Sequence, residues 1–145
     1  MATAERLYRR VMKLDAADAA ASFNVGNIMR ATNRMVEAEA MYRTAAKADP
    51  DFPQAWYNLA DVLDESGRTA EAVTALQAAI KAEPDYADAI FNLALALQKL
   101  ERHADAATWW RRYLKLDTDS AWSARARRAL KFCEIKLADA ARGAS

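Results

Sequence analysis

The stretch AWYNLADVLDESGRTAEAVTALQAAIKAEPD, residues 55–85, contains two amphipathic helical patterns separated by one glycine. In the first half, Leu59 and Leu63 are four residues apart and so share one face of an α-helix. Gly67 suits the left-handed backbone that ends many helices. The second half runs to Pro84, whose ring disfavours helical geometry in the residue before it. The stretch therefore predicts a helical hairpin, helix A followed by helix B, with a tight turn between them.

The same pattern returns every 34 residues along the chain. The recurring positions include a lysine, an alanine and an asparagine, namely Lys13, Lys47, Lys81 and Lys115; Ala4, Ala38, Ala72 and Ala106; and Asn24, Asn58 and Asn92. Repetition of one supersecondary unit is the simplest cause of such a spacing. Few Gly and Pro residues, three of each, and abundant Ala, Leu, Glu, Lys and Arg also favour an all-helical chain.

The repeated motif resembles the tetratricopeptide repeat. In that family a large residue, a Leu-Gly or Leu-Ala pair and a second large residue on helix A precede Ala, an aromatic residue and Ala on helix B, and then Pro. The motif is carried by Val25-Gly26, Met29, Ala38, Tyr42, Ala45 and Pro50; by Trp56, Leu59-Ala60, Leu63, Gly67, Ala72, Leu76, Ala79 and Pro84; and by Ile90, Leu93-Ala94, Leu97, Ala106, Trp110 and Tyr113. The resemblance implies an all-α, right-handed superhelical solenoid of helical hairpins.

We expect a single domain over residues 1–145, whose parts follow the 34-residue period. These parts are a half repeat at 2–17 with helix B only, repeats at 19–52, 53–86 and 87–120, and a capping helix at 121–140. A half repeat leaves apolar surface uncovered. We therefore expect either that the chain is a piece of a longer array or that something else covers Leu7, Tyr8 and Val11, and self-association by exchange of a helix is one such arrangement.

A weaker resemblance concerns residues 109–134, WWRRYLKLDTDSAWSARARRALKFCE. This stretch is similar to the end of certain proteobacterial tetratricopeptide proteins that carry an N-terminal helix-turn-helix segment. The likeness implies a bacterial source and the repeat region of a regulator. The chain itself holds no helix-turn-helix pattern, so no direct binding to nucleic acid is predicted for it.

The resemblance also implies that helices A line a concave groove, into which their unpacked side chains point. These side chains are Phe23, Asn24, Asn27, Arg30, Gln54, Tyr57, Asn58, Asp61, Asp64, Asp88, Phe91, Asn92, Leu95 and Gln98, with Trp122 and Arg125 at the edge. Amides suit peptide backbone groups, and aromatic rings supply apolar contact at low entropic cost. The aspartates predict a basic or neutral partner segment. In the alternative interpretation, Asn24, Asn58 and Asn92 are consensus residues that hold neighbouring helices.

One subclass of the family holds the C-terminal carboxylate of chaperone tails with Lys and Arg beside two Asn. Asn27 and Asn58 match its two amides. Phe23, Asp88 and Asn92 stand where that subclass has its cations. Because Asp88 would repel a carboxylate there, the sequence argues against this ligand at these positions.

No catalytic, cofactor or metal site is predicted. His103 and Cys133 are the only histidine and the only cysteine, so neither a metal cluster nor an activated thiol can be assembled. We expect His103 at the surface and Cys133 as a buried structural thiol. The net charge of +1 gives no electrostatic case for nucleic acid or an anionic membrane.

Because repeat arrays usually bind other proteins, the sequence favours a non-enzymatic protein–protein interaction module. It also favours a cytoplasmic location, since no apolar run approaches the roughly 20 residues that span a bilayer. The module would hold a peptide segment of a partner as an adaptor or scaffold, or as the sensing part of a larger regulator. The alternative is a structural self-assembly module that forms homo-oligomers through the incomplete N-terminal repeat.

Overall fold

The computed structural model describes residues 5–7, 10 and 18–144, and the chain divides into two units. The first unit ends at Glu83 and the second begins at Pro84. All regular secondary structure in the described residues is helical. Residues 5–7 and 10 are also helical, while most of the predicted half repeat at 2–17 lies outside the described residues.

Each unit is built from antiparallel helical hairpins. The first unit contains α1 (Ala19–Ala31), α2 (Met35–Ala48), α3 (Pro53–Glu65) and α4 (Thr69–Ala82). The second contains α5 (Ala87–Lys99), α6 (His103–Leu116) and α7 (Ala121–Ala144). Helix α1 packs on α2, α2 on α3 and α3 on α4, while α5 packs on α6 and α6 on α7. The predicted capping helix is α7, and it continues four residues beyond its expected end at residue 140.

Three hairpin turns share one left-handed geometry, at Asn33 (φ 60°), Gly67 (φ 79°) and Glu101 (φ 59°). In each turn the N–H of the following arginine donates to a carbonyl five residues earlier; the Arg68 N to Leu63 O distance, for example, is 2.8 Å. This pairing satisfies carbonyl groups that a helix end leaves open. Glycine tolerates the required φ without steric cost, but a side chain with a Cβ does not.

Glu101→Gly is therefore expected to stabilise the second unit by about 1 kcal/mol, because it removes the strain of a left-handed glutamate. Urea unfolding followed by circular dichroism would measure the gain. Asn33→Gly is the matched comparison in the first unit and should gain less, since Asn tolerates this conformation better than Glu. A urea midpoint of Glu101→Gly equal to or lower than that of the wild-type chain would contradict the assignment of strain to Glu101.

Small residues at the helix crossings let the hairpins close, and large residues fill the space beside them. Ala38, Ala72 and Ala106 are fully buried, at the same position of three successive second helices. Gly26 marks a close approach of α1 to α2, because a Cβ added there would lie 2.7 Å from Cε1 of the Tyr42 ring. Close packing of this kind cannot absorb added volume without displacing a neighbour.

The second helices end alike, with an acidic residue in extended conformation at Asp49, Glu83 and Asp117. At the last of these the sequence has Thr118 where the other units have proline. Tyr113 Oη donates to Asp117 Oδ2 at 2.8 Å, and Ser120 Oγ bonds to the same oxygen. Burial and the bonded carboxylate raise the pKa of Tyr113 to about 12, so its hydroxyl remains a donor at neutral pH. These side chains shape the turn that proline shapes elsewhere.

The terminal helix α7 presents a different face from the one its apolar spacing predicts. The sequence places Trp122, Ala126, Leu130, Cys133 and Leu137 on one apolar stripe. Ala126 and Cys133 are fully buried as expected, but Trp122 is 55 % exposed and Leu137 is 37 % exposed. Ser123 is buried instead, and its hydroxyl accepts a hydrogen bond from the backbone N–H of Ser120 and donates one to the Ser120 carbonyl, at the start of the helix. Cys133 is a buried thiol, as expected.

Candidate functional site

Two amides from neighbouring first helices meet in the first unit. Asn27 Oδ1 on α1 accepts hydrogen bonds from Tyr42 Oη at 2.6 Å and from Asn58 Nδ2 on α3 at 3.0 Å. Burial raises the pKa of Tyr42, which keeps the hydroxyl neutral as a donor. These bonds involve neither the N–H groups of Asn27 nor the carbonyl oxygen of Asn58. The fold thus orients the amide pair through only one half of each side chain.

A cation bridges two acids on the same pair of helices. Arg30 on α1 places Nη1 3.4 Å from Asp61 Oδ2 and Nη2 2.7 Å from Glu65 Oε1, both on α3. Burial opposes the charge of Arg30, yet the bond to Glu65 and the charge of Asp61 outweigh it and raise its pKa. Burial raises the pKa of Asp61, and Arg30 partly offsets that rise. This bridge neutralises part of the acidity that the sequence predicts here.

The remaining expected groove residues of the first unit differ in exposure. Asn24 and Gln54 are exposed, and Tyr57 is half-buried. Phe23 is half-buried, with its ring centre 4.9 Å from that of Phe52. Asp64 accepts a hydrogen bond of 2.9 Å from Thr69 Oγ1, at the start of α4, and so helps to hold the turn before that helix.

Phe91 departs from the expectation of an open contact in the groove, because it is only 7 % exposed. Its ring meets those of Trp110, Tyr113 and Trp122 edge-on, with centroid distances of 4.8, 5.2 and 5.4 Å. Trp122 reaches it from α7, a contact that the sequence of α5 alone does not reveal. Phe91→Ala would therefore remove part of the core of the second unit, so this variant does not test binding alone.

The other expected groove residues of the second unit come from α5. Asp88 is exposed, while Asn92, Leu95 and Gln98 are half-buried. Gln98 Oε1 accepts a hydrogen bond of 3.1 Å from Trp110 Nε1 and lies 3.7 Å from the Cys133 thiol. Burial raises the pKa of that thiol, so it is protonated at neutral pH. The oxygen of Gln98 is thus occupied inside the fold.

An arginine stacked on two aromatic rings lies at the start of α7. The Arg125 guanidinium is 5.5 Å from the Phe91 ring centre and 5.4 Å from that of Trp122. Both distances are within the range of cation–π contacts. The sequence predicts that Trp122 and Arg125 lie at the edge of the groove, but not that Arg125 lies over the Phe91 ring or that Trp122 meets this ring edge-on.

The sequence predicts that His103 lies at the surface, but its side chain is half-buried. Its ring centre is 5.9 Å from that of Phe132 on α7. Across residues 5–7, 10 and 18–144, no cluster of three His, Cys, Asp or Glu side chains can hold a metal ion. Within the same residues, no helix has the length and apolar character needed to cross a bilayer.

Comparison with known families gives matches along most of the chain. A family model described as "Tetratricopeptide repeat" matches residues 57–121, and a second with the same description matches residues 1–62 and 30–80. Neither match is to an enzyme family. No curated protein matches the chain in sequence. None of these results bears on the resemblance to proteins with a helix-turn-helix segment, which stays a prediction.

Solved structures show the same fold at low sequence identity. The crystal structure of MamA aligns with a TM-score of 0.78 at 20 % identity, covering 90 % of this chain and 75 % of that one. The first TPR of Spaghetti (RPAP3), bound to the HSP90 peptide SRMEEVD, gives 0.74 at 22 % identity over 86 % and 97 %. YrrB, "a TPR protein with an unusual peptide-binding site", gives 0.73 at 24 % identity over 90 % and 65 %. The predicted all-α fold of helical-hairpin repeats is confirmed.

Proposed function

Because the chain belongs to the tetratricopeptide repeat family, we propose that it is a protein–protein interaction module that holds a peptide segment of a partner on the first helices of its hairpins. It would act in the cytoplasm as an adaptor or scaffold, or as the sensing part of a larger regulator. Support comes from two similar structures, one described with a bound peptide and the other with a peptide-binding site. We also propose repeats at 19–52, 53–86 and 87–120.

The observation that carries the proposal is the amide pair Asn27 and Asn58 in the first unit. The oxygen of Asn27 is held by Tyr42 and Asn58, so the two amides have a defined orientation before a ligand arrives. The N–H groups of Asn27 match a peptide carbonyl, and the Asn58 carbonyl matches a peptide N–H. Preorganised groups bind more tightly because less conformational freedom is lost on binding. Half-buried Tyr57 would add apolar contact beside them.

The charges beside the amide pair favour a basic or neutral segment. One positive and three negative charges lie here, on Arg30, Asp61, Asp64 and Glu65. Arg30 pairs with Asp61 and Glu65, so an excess of negative charge remains. A lysine or arginine of the partner would meet this excess of negative charge, and an acidic segment would be repelled.

Site-specific photo-crosslinking tests the proposal. A benzophenone amino acid placed at Tyr57 on α3 should crosslink a partner in a lysate of the source organism, because that position would contact the bound segment. The same group at Gln77, an exposed residue of α4, is the matched control and should give no such product. Identical products from both positions, or none from Tyr57, would contradict peptide binding on this surface.

The second candidate, self-assembly through the incomplete N-terminal repeat, concerns residues 2–17, most of which lie outside the described residues. Among the described part, Glu5 accepts a hydrogen bond of 3.0 Å from Arg34 in the turn after α1. Light scattering over a range of protein concentrations tests this candidate, because a monomer at every concentration would exclude it.

A further inference from the structure

The second unit contains a cavity of about 560 Å³ that is largely open to solvent. Its volume is within the range of sites for small ligands. The cavity lies where the end of α5, the following turn, the start of α6 and the middle of α7 come together. The residues that line it are Leu95, Gln98, Lys99, Glu101, His103, Phe132 and Lys136. None of the residues of the amide pair belongs to it.

Positive charge reaches the cavity from two different helices. Lys99 ends α5, and Lys136 lies on α7. The ammonium of Lys136 is 5.5 Å from the ring centre of Phe132, within range of a cation–π contact that keeps it beside the cavity. Glu101, in the turn, supplies the one carboxylate of the lining. The two lysines and Glu101 thus give the lining two positive charges and one negative charge.

Apolar walls face this charge. Leu95 is half-buried, and Phe132 is 43 % exposed although its ring lies against that of His103. An exposed ring at a cavity is available to an apolar group of a ligand. The lining therefore combines cations with an aromatic and an aliphatic side chain.

His103 has a hydrogen-bonding atom that the described part of the fold does not use. Its Nδ1 is covered, and no donor or acceptor among the described residues bonds to it. A buried polar atom without a partner costs free energy, so such atoms usually mark a place where water or a ligand binds.

We propose that this cavity binds a carboxylate carried on an apolar group. The carboxylate would lie beside Lys136, since charge-assisted hydrogen bonds are the strongest available there. The apolar group would rest on Phe132 and Leu95. The carboxylate belongs either to a free organic acid or to the C-terminal residue of a protein chain. In both cases this site is separate from the amide pair. Only the second case rests on the proposed function.

A titration of the isotope-labelled full chain by nuclear magnetic resonance tests the proposal with hydrocinnamate as the probe. The Trp110 indole N–H is a natural reporter, because it bonds to Gln98 in the lining, and the His103 ring is a second. We expect saturable shifts of both signals. The uncharged amide of the same acid should bind at least about fivefold more weakly, because it loses the charge-assisted bonds.

Variants separate the site from general surface charge. Lys136→Gln should weaken hydrocinnamate binding about five- to tenfold, whereas Lys131→Gln, an exposed lysine on the same helix, should change it less than about twofold. Glu101→Gln removes the opposing charge and should tighten binding about two- to threefold. Equal loss in both lysine variants, equal affinity for acid and amide, or unshifted signals would overturn the proposal.

The source of the carboxylate is read from a second probe, N-acetyl-Gly-Gly-Phe with a free C-terminus, beside its amidated form. Tighter binding of this peptide than of hydrocinnamate supports the site and assigns it to a protein C-terminus. Equal or tighter binding of hydrocinnamate supports the site and assigns it to a small acid. Crosslinking from Tyr57 reports on the first unit, so failure of one proposal is distinguishable from failure of the other.

Discussion

Replacing Trp110 by alanine is expected to lower the free energy of unfolding of the second unit by about 3–5 kcal/mol, the range for large aromatic residues removed from a core. The side chain is 1 % exposed, its ring meets that of Phe91 edge-on at 4.8 Å, and its Nε1 donates to Gln98. The substitution removes the ring from the core and leaves the Gln98 oxygen without this donor. Urea unfolding followed by circular dichroism measures the loss.

The neighbouring tryptophan provides the matched control. Trp109 is half-buried, and its ring is covered on one side by the Arg112 guanidinium at 5.2 Å. Trp109→Ala should therefore cost about 1 kcal/mol or less, since it removes a partly solvated contact and creates no internal cavity. Equal losses in the two variants would contradict the assignment of Trp110 to the core.

Replacing Tyr57 by alanine is expected to weaken binding of the partner segment about tenfold or more, as is usual for an aromatic residue at the centre of an interface. Because the side chain is only half-buried, the fold should lose about 1 kcal/mol of stability or less. Titration calorimetry of the purified variant against the segment crosslinked at that position measures the affinity. Circular dichroism checks that helicity is unchanged.

The control for that substitution is Gln77→Ala on α4, which should change neither affinity nor stability because Gln77 is exposed on a second helix. Phe91→Ala is unsuitable as a partner to Tyr57→Ala. Its ring is packed against Trp110, Tyr113 and Trp122, so a loss of binding in that variant would also follow from a damaged core.

The helical hairpins could be predicted because the signals that define them are local and repeated. Alanine at Ala38, Ala72 and Ala106 marks the close helix crossings, and all three side chains are buried. The turn at Glu101 was predictable only from the repeat, since glutamate by itself does not favour a left-handed backbone. The position of Glu101 in the 34-residue repeat thus predicted a turn that the residue type alone did not predict.

Contacts between residues far apart in sequence limited the prediction of the candidate site. Arg30 pairs with Asp61 and Glu65, which are 31 and 35 residues away, and this lowers the acidity that the aspartates suggest. Phe91 occupies a position that faces the groove in the repeat pattern, but Trp122 of the terminal helix covers it. Neither pairing follows from helical spacing, because spacing identifies the face of a helix and not its partner.

His103 shows the same limit at a single residue. A lone histidine at a helix start gives no sign of a cavity, and the sequence favours a solvent-exposed side chain. The residue that changes this is Phe132, 29 positions further along, whose ring lies against the imidazole. The cavity beside them depends on the length of α7, since Lys136 lies on its second half.

The most direct test of the central claim is affinity capture from a lysate of the source organism, with the wild-type chain, Tyr57→Ala and Gln77→Ala immobilised side by side. We expect a protein that wild type and Gln77→Ala retain and that Tyr57→Ala loses, while all three show the same helicity. Retention of the same proteins by all three chains would contradict peptide binding on the first helices and would remove that surface as the site of function.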